Sequence, residues 1–121
     1  MSLNTQGLGN YQKRRDVFQY LKQKHFSIYC LQDTHFDKKS EKQIRSEWGY
    51  ECFFSSFSSQ SRGVAILLNN NFDFKVKTIL SDKEGNYLIL ILKTMERELA
   101  IVNIYGPNKD NPAFYEVTGQ N

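Results

Sequence analysis

The apolar residues of this chain come in short runs, the longest from Tyr87 to Leu92, and polar or glycine-containing clusters separate them. That punctuation favours a sheet-rich globular fold over long helices. A run of this length is far below the ~20 residues needed to cross a bilayer as a helix. No charged-then-apolar leader opens the sequence, so neither a membrane protein nor a secreted one is expected. With 121 residues, 40% hydrophobic and 14% aromatic, the chain is expected to form one domain with its own core rather than a disordered tail.

Periodicity places the elements. Between Asn10 and Lys24, Val17, Phe18 and Leu21 fall at spacings of one, three and four, while Lys13, Arg14, Arg15, Lys22 and Lys24 take the other faces, which predicts an amphipathic helix. Ser27 to Leu31 is nearly all apolar, the pattern of a strand buried on both faces. Asp37 to Glu47 predicts a shorter helix, with Ser40 and Gln43 at capping-box spacing and Gly49 as its stop. Glu51 to Phe57 and Gly63 to Leu68 read as a hairpin around a serine-rich turn. Phe72 to Leu80 alternates as a half-buried strand. Tyr87 to Leu92 and Leu99 to Tyr105 read as an antiparallel pair, followed by a long loop through Gly106-Pro107-Asn108 and Asp110-Asn111-Pro112.

Polar groups gather where strands give way to loops, the places at which open sheets collect ligands. Asn4 and Gln6 follow a very short opening strand, Asp33 and His35 follow the buried strand, and Tyr105 and Asn108 follow the last strand of the antiparallel pair. If the three strands are neighbours in one sheet, the groups converge on one rim. A carboxylate and an amide oxygen there would suit magnesium, which takes few protein ligands and keeps several waters. The plainer alternative is that Asp33 caps or turns the chain, Asn4 and Asn108 satisfy loop amides, Tyr105 is a core aromatic with a wet end, and His35 only positions a loop.

The basic runs Lys13-Arg14-Arg15 and Lys38-Lys39 could face phosphates or be ordinary solvated helix surface, and a net charge of +3 decides little between them. Cys30 and Cys52 have neither metal-type spacing nor the numbers for a disulfide framework, so buried free thiols in a reducing compartment are expected. No nucleophile elbow and no phosphate-binding glycine loop is present.

Four segments occur in a telling order: Ser2-Leu3-Asn4-Thr5-Gln6-Gly7-Leu8, Leu31-Gln32-Asp33-Thr34-His35, Arg62-Gly63-Val64-Ala65-Ile66-Leu67 and Asn103-Ile104-Tyr105-Gly106-Pro107-Asn108. In these the chain resembles the N-terminal half of a LINE-type retrotransposon endonuclease domain, of the endonuclease/exonuclease/phosphatase superfamily. The resemblance runs from Ser2 to about Tyr115, giving a partial domain over residues 1–115 and a non-family tail over residues 116–121.

It implies an α/β fold, the N-terminal half of a DNase I-like four-layer α/β/β/α sandwich with mostly antiparallel sheet and flanking helices. The implied activity is hydrolysis of phosphodiester bonds with Mg2+ or Mn2+, DNA being the partner that is nicked. By this resemblance Asp33 matches the metal-binding acid, Asn4 the amide near metal and phosphate, and Tyr105 and Asn108 the phosphate-contacting motif. Gln6 falls where relatives carry Asp or Asn, and His35 lies beside the acid.

Asp33 is one methylene shorter than the Glu usual in the family. The segments that orient water and supply an acid and histidine pair would lie beyond Asn121, so the chain alone is expected to be inactive or nearly so. If the second sheet is missing too, Phe53, Val64, Ile66, Leu88 and Leu90 are candidates for an open apolar sheet face, and self-association follows. The alternative function is a non-catalytic α/β module that binds a protein partner or nucleic acid. The thiols and the resemblance suggest a nuclear or cytoplasmic, intracellular location.

Overall fold

A computed structural model of the chain describes residues 1–106 and the strand at 113–117. The elements run β1 (Ser2–Asn4), α1 (Tyr11–Lys24), β2 (Ile28–Gln32), a 3-10 turn (Lys38–Ser40), α2 (Glu41–Trp48), β3 (Cys52–Ser55), β4 (Val64–Leu68), β5 (Lys75–Ser81), β6 (Tyr87–Lys93), β7 (Glu98–Ile104) and β8 (Ala113–Val117). They form two four-stranded sheets, ordered β1-β2-β4-β3 and β5-β6-β7-β8. Only β1 and β2 pair in parallel; the other pairings are antiparallel.

Alternation along β4 explains the layering. All five of its residues are buried, yet they serve two cores. Ala65 and Leu67 join Phe18 and Leu21 of α1, Ile44 and Trp48 of α2, and Tyr29 and Leu31 of β2 on one side. Val64, Ile66 and Leu68 face the second sheet, where Leu88, Leu90, Leu92 and Ile101 meet them together with Cys30. A strand between two apolar layers must be apolar throughout, which is why β2 and β4 lack the clean two-residue period. The result is an α/β/β arrangement of helices, sheet and sheet.

This corrects the expectation of one sheet with an open inner face. Val64, Ile66, Leu88 and Leu90 are fully buried between two sheets, and Phe53 packs at their margin. The apolar surface that stays uncovered belongs to the other side of the second sheet. There the register puts Ile89 opposite Val102, Ile91 opposite Ala100 and Tyr87 opposite Ile104. No helix among the described residues covers that side.

Local chemistry sets the helix ends. Asn10 caps α1, its side chain accepting from the Lys13 amide at 2.9 Å, and His25 ends it in the left-handed conformation. Before α2 the expected capping box does not form: Asp37 takes the Ser40 amide at 3.0 Å and the Ser40 hydroxyl at 2.7 Å, which closes the 3-10 turn instead. Gly49, at φ 90°, stops α2 as the sequence predicts. The strand expected from Phe72 starts only at Lys75, because Phe72 and Phe74 stack on each other at 4.8 Å in the preceding loop. Strand β8 lies beyond what the sequence pattern predicts.

The basic run at the start of α1 divides. Arg14 is buried, with Nε 2.5 Å and Nη2 3.0 Å from the two oxygens of Glu47 and Nη1 donating to the Leu8 carbonyl at 2.9 Å, so it fastens α1 to α2 and is not free for phosphate. Arg15, Lys38 and Lys39 keep solvent contact. Both cysteines are buried free thiols, and burial pushes each up to about 12.

Ile91→Lys, on the uncovered side of the second sheet, is expected to lower binding of an apolar fluorescent dye while leaving the melting temperature within a few degrees, since surface changes usually cost about 0.5 kcal/mol or less. The same substitution at Leu90, on the inner side, should unfold the chain. Equal behaviour of the two variants in dye binding and melting would contradict the layering.

Candidate functional site

Five loops meet at one end of the sandwich, and backbone hydrogen bonds tie them in series. The Gly7 amide donates to Asp33 O at 2.7 Å and Leu8 to Thr34 O at 2.8 Å, joining the β1–α1 loop to the turn after β2. Thr34 and His35 donate to Gly63 O and Arg62 O, at 3.0 and 2.9 Å, which adds the β3–β4 turn. Gly63 donates to Gly85 O at 3.1 Å, and Tyr105 to Asn86 O at 2.7 Å, carrying the chain of bonds across to the second sheet. Asn4, Gln6, Asp33, His35 and Tyr105 therefore share one rim. Asn108 lies outside the described residues.

Two glycines allow this close approach. Gly63, at φ 98°, would with a Cβ come within 2.5 Å of Thr34 Oγ1. Gly7, at φ 94°, would meet His35 Nδ1 at 2.7 Å. The neighbouring residues follow the same tight path without that freedom: Gln6, Asp33, His35 and Arg62 have φ of 52°, 56°, 58° and 62°. They are four of the five non-glycine residues with positive φ among those described, the fifth being the helix-ending His25. Such backbone costs of order 1 kcal/mol per residue, and its concentration in one place points to a site.

The side chains are arranged as follows. Asp33 is half-buried; its Oδ1 lies 2.8 Å from His35 Nε2, and its Oδ2 makes no hydrogen bond among the described residues. The Asp33 side chain therefore caps no backbone amide, and His35 is fixed on it. Asn4 pairs with Gln32 across the parallel β1–β2 ladder, and its exposed Oδ1 accepts from the Gln6 amide at 3.1 Å, a loop-satisfying role. Lys13 reaches back to the Thr5 and Gln6 carbonyls at 2.8 and 3.3 Å. Tyr105 is half-buried against the inner core. Neither Asn4 nor Tyr105 hydrogen-bonds to Asp33 among the described residues. The buried Thr34 Oγ1 has no hydrogen-bond partner among the described residues.

Two residues beneath the rim carry structural weight that the sequence pattern does not single out. Asn103 is completely buried: its Nδ2 donates to Leu31 O at 3.1 Å and Ala65 O at 2.8 Å, and its Oδ1 accepts from Gln32 Nε2 at 2.9 Å. A lone amide in the apolar run Ile101-Val102-Asn103-Ile104 is the signal that could have found it. Asp82, in the β5–β6 turn, accepts from Ser55 Oγ at 2.8 Å and from the Asn86 and Tyr87 amides at 3.0 and 3.3 Å. Partial burial works to raise its pKa, but these hydrogen bonds to the ionised form outweigh it and hold the carboxyl below the usual range.

No cluster of three or more His, Cys, Asp or Glu side chains suited to a metal exists among the described residues. The donors that could approach one ion at the rim are Asp33 Oδ2 and the oxygen of Asn4, hard ligands that suit an ion keeping most of its water. No helix among the described residues is long and apolar enough to cross a membrane.

No protein-family description matches the chain. Over 117 residues, 95% of its length, it is 30% identical to the transposon TX1 uncharacterized 149 kDa protein of Xenopus laevis. It spans about 9% of that protein. The chain is thus homologous to a small segment of a transposon protein.

Two substitutions test the supports of the rim. Asn103→Ala removes three buried hydrogen bonds, leaving Gln32 Nε2 only its bonds to Ser2 Oγ and Cys30 O, and is expected to destabilise by about 1–3 kcal/mol, seen in chemical denaturation. Asp82 has a depressed folded pKa, so its contribution is complete above the unfolded value of about 3.9 and disappears as pH falls through the lower folded value. Asp82→Asn should therefore be less stable than the parent at neutral pH, and the gap should narrow below about pH 4. A gap independent of pH would show that the ionised carboxylate is not what matters.

Proposed function

We propose that this chain is part of a transposon-derived, divalent-metal-dependent phosphodiesterase domain acting on DNA, with Asp33 as metal ligand and Asn4 and Tyr105 flanking the phosphate. The observation that carries this reading is the rim itself. A half-buried carboxylate with one free oxygen shares that rim with an exposed amide and a tyrosine, on strained backbone of the kind that clusters at functional sites. The homology to a transposon protein agrees with it.

Each residue has a role that follows from its chemistry. His35 occupies Asp33 Oδ1 and leaves Oδ2 as the single anionic donor, which favours one-point ligation. Magnesium bound there would supply positive charge for a phosphoryl oxygen. Asn4 can turn its amide toward a phosphate if the Gln6 amide is released, and the Tyr105 hydroxyl can donate to a non-bridging oxygen. Another carboxylate near the rim, Asp82, is turned into its own loop, where its Oδ1 accepts three hydrogen bonds from Ser55, Asn86 and Tyr87. The resemblance places the groups that orient water outside this chain, and the chain alone is expected to nick supercoiled plasmid little or not at all.

Metal binding is the direct test because it does not need turnover. In an isotope-labelled sample titrated with Mn2+, paramagnetic broadening is expected first at the amides of Gln6, Asp33, Thr34, His35 and Tyr105, and Asp33→Ala should abolish that focus. Broadening that begins at scattered surface carboxylates and is unchanged in Asp33→Ala would refute the assignment.

A further inference from the structure

At the opposite end of β4 from Gly63, roughly 20 Å along the strand by its rise per residue, lies a cleft of about 610 Å³. It opens between α2, the turn that follows α2, and the loop after β4, and Lys42, Arg45, Tyr50, Glu51, Asn70 and Phe74 line it. Its volume is that of a site for one nucleotide-sized group. The proposed metal rim uses none of these residues.

The lining is a particular combination. Lys42 and Arg45 stand three residues apart on α2, on neighbouring positions of one face, and neither makes an ion pair among the described residues. Arg45 is held in place, with its guanidinium 5.3 Å from the centre of the Phe54 ring and Nη2 3.4 Å from Cys52 O. Beside them Tyr50 is 38% exposed. Its ring is braced edge-on by Trp48 at 6.0 Å, and Trp48 is itself fully buried and anchored through Nε1 to Leu68 O at 3.0 Å. The Lys22 ammonium lies over the Tyr50 ring, 5.5 Å from its centre, and lines the neighbouring hollow, so the cleft itself carries two cations against one acid, Glu51.

Fixed cations next to a rigid, accessible aromatic ring complement a phosphate followed by a base, and the exposed Asn70 can pair with a base edge. A duplex would keep its base faces stacked away from Tyr50. We propose that this cleft is a second nucleic-acid contact that takes single-stranded nucleic acid, with backbone phosphate on Lys42 and Arg45 and an unpaired base stacked on Tyr50.

Fluorescence anisotropy with a labelled oligothymidylate of about ten nucleotides tests this in the intact chain. Lys42→Ala with Arg45→Ala should flatten the dependence of log affinity on log salt by about 0.7 for each phosphate no longer neutralised. Tyr50→Ala should weaken binding about tenfold, and Tyr50→Phe should restore it. Lys42→Glu, at an exposed helix position, gives a further reading should loss of Arg45 disturb α2. The titrations are run in EDTA, so that no ion serves the rim and the reading is of this cleft alone, and failure here and failure of the rim are separate results. Binding indifferent to the Lys42, Arg45 and Tyr50 variants would overturn the proposal. So would duplex DNA or polyglutamate competing as well as the single strand.

Discussion

The interaction on which the rest depends is the buried amide pair of Gln32 and Asn103. Two sheets that meet through Leu, Ile and Val alone could slide over one another with little change in buried area. Asn103 opposes that freedom, because its amide group bonds Gln32 and two carbonyls of the facing sheet at once, and a shifted packing would have to replace all three bonds. A buried polar group left without its partner costs more than the hydrogen bond contributes when made, so the pair acts mainly by penalising the alternatives. Gln32 also lies beside Asn4 in the β1–β2 ladder, and Asn103 is two residues before Tyr105. The same clamp that aligns the sheets thus fixes where both halves of the rim stand.

The rim is costly, and the cores below it offset that cost. Four residues there hold left-handed backbone without being glycine, and Thr34 Oγ1 is buried without a partner among the described residues. Asp and His tolerate this conformation better than branched residues, which fits their presence at 33 and 35. Opposing this are one core under the helices, crowded with Phe18, Tyr29, Phe36 and Trp48, and another between the sheets. Arg14 with Glu47 and Asp82 with Ser55 then fasten the periphery with charge-assisted bonds.

How much of this the sequence displays depends on what period two and period 3.6 can carry. The apolar run of β6 marks a strand and the spacing of Phe18 and Leu21 a helix face, and those elements are where the pattern puts them. Periodicity is silent on which face meets which, so the sequence does not say on which side of a sheet Val64, Ile66, Leu88 and Leu90 lie, whereas in the structure they meet between two sheets. Arg14 reads as a surface charge because its partner Glu47 is distant in sequence. Phe72 and Phe74 alternate like a strand but satisfy each other locally. The segment Ala113-Phe114-Tyr115-Glu116-Val117 follows a polar, proline-containing stretch of sequence and is too short to declare itself, although it pairs with β7 at the end of the second sheet's described strands. Of the candidate site, polar groups at strand ends mark the loops, but the pattern suggests three neighbouring strands of one sheet, whereas β7 belongs to the second sheet and its loop meets the others across the sandwich. The Asp33–His35 contact and the amide clamp are not legible in it, since both depend on how distant or turning segments of backbone meet in space.

A single carboxylate constrains what such a rim can do. With His35 on one oxygen of Asp33, an ion could gain one charged ligand and would remain largely hydrated, so its residence would depend on the phosphate that brings the remaining negative charge. Metal and nucleic acid would then bind as a unit, each weak without the other. A chain of this kind benefits from contacts that hold nucleic acid independently of the ion, and positive charge beside an exposed ring is a chemistry that does so without disturbing the strained rim. The separation of the two ends along β4 follows from the same constraint. The rim loops are already committed to one another by their backbone hydrogen bonds, whereas the far end, between α2 and the loop after β4, has side chains to spare.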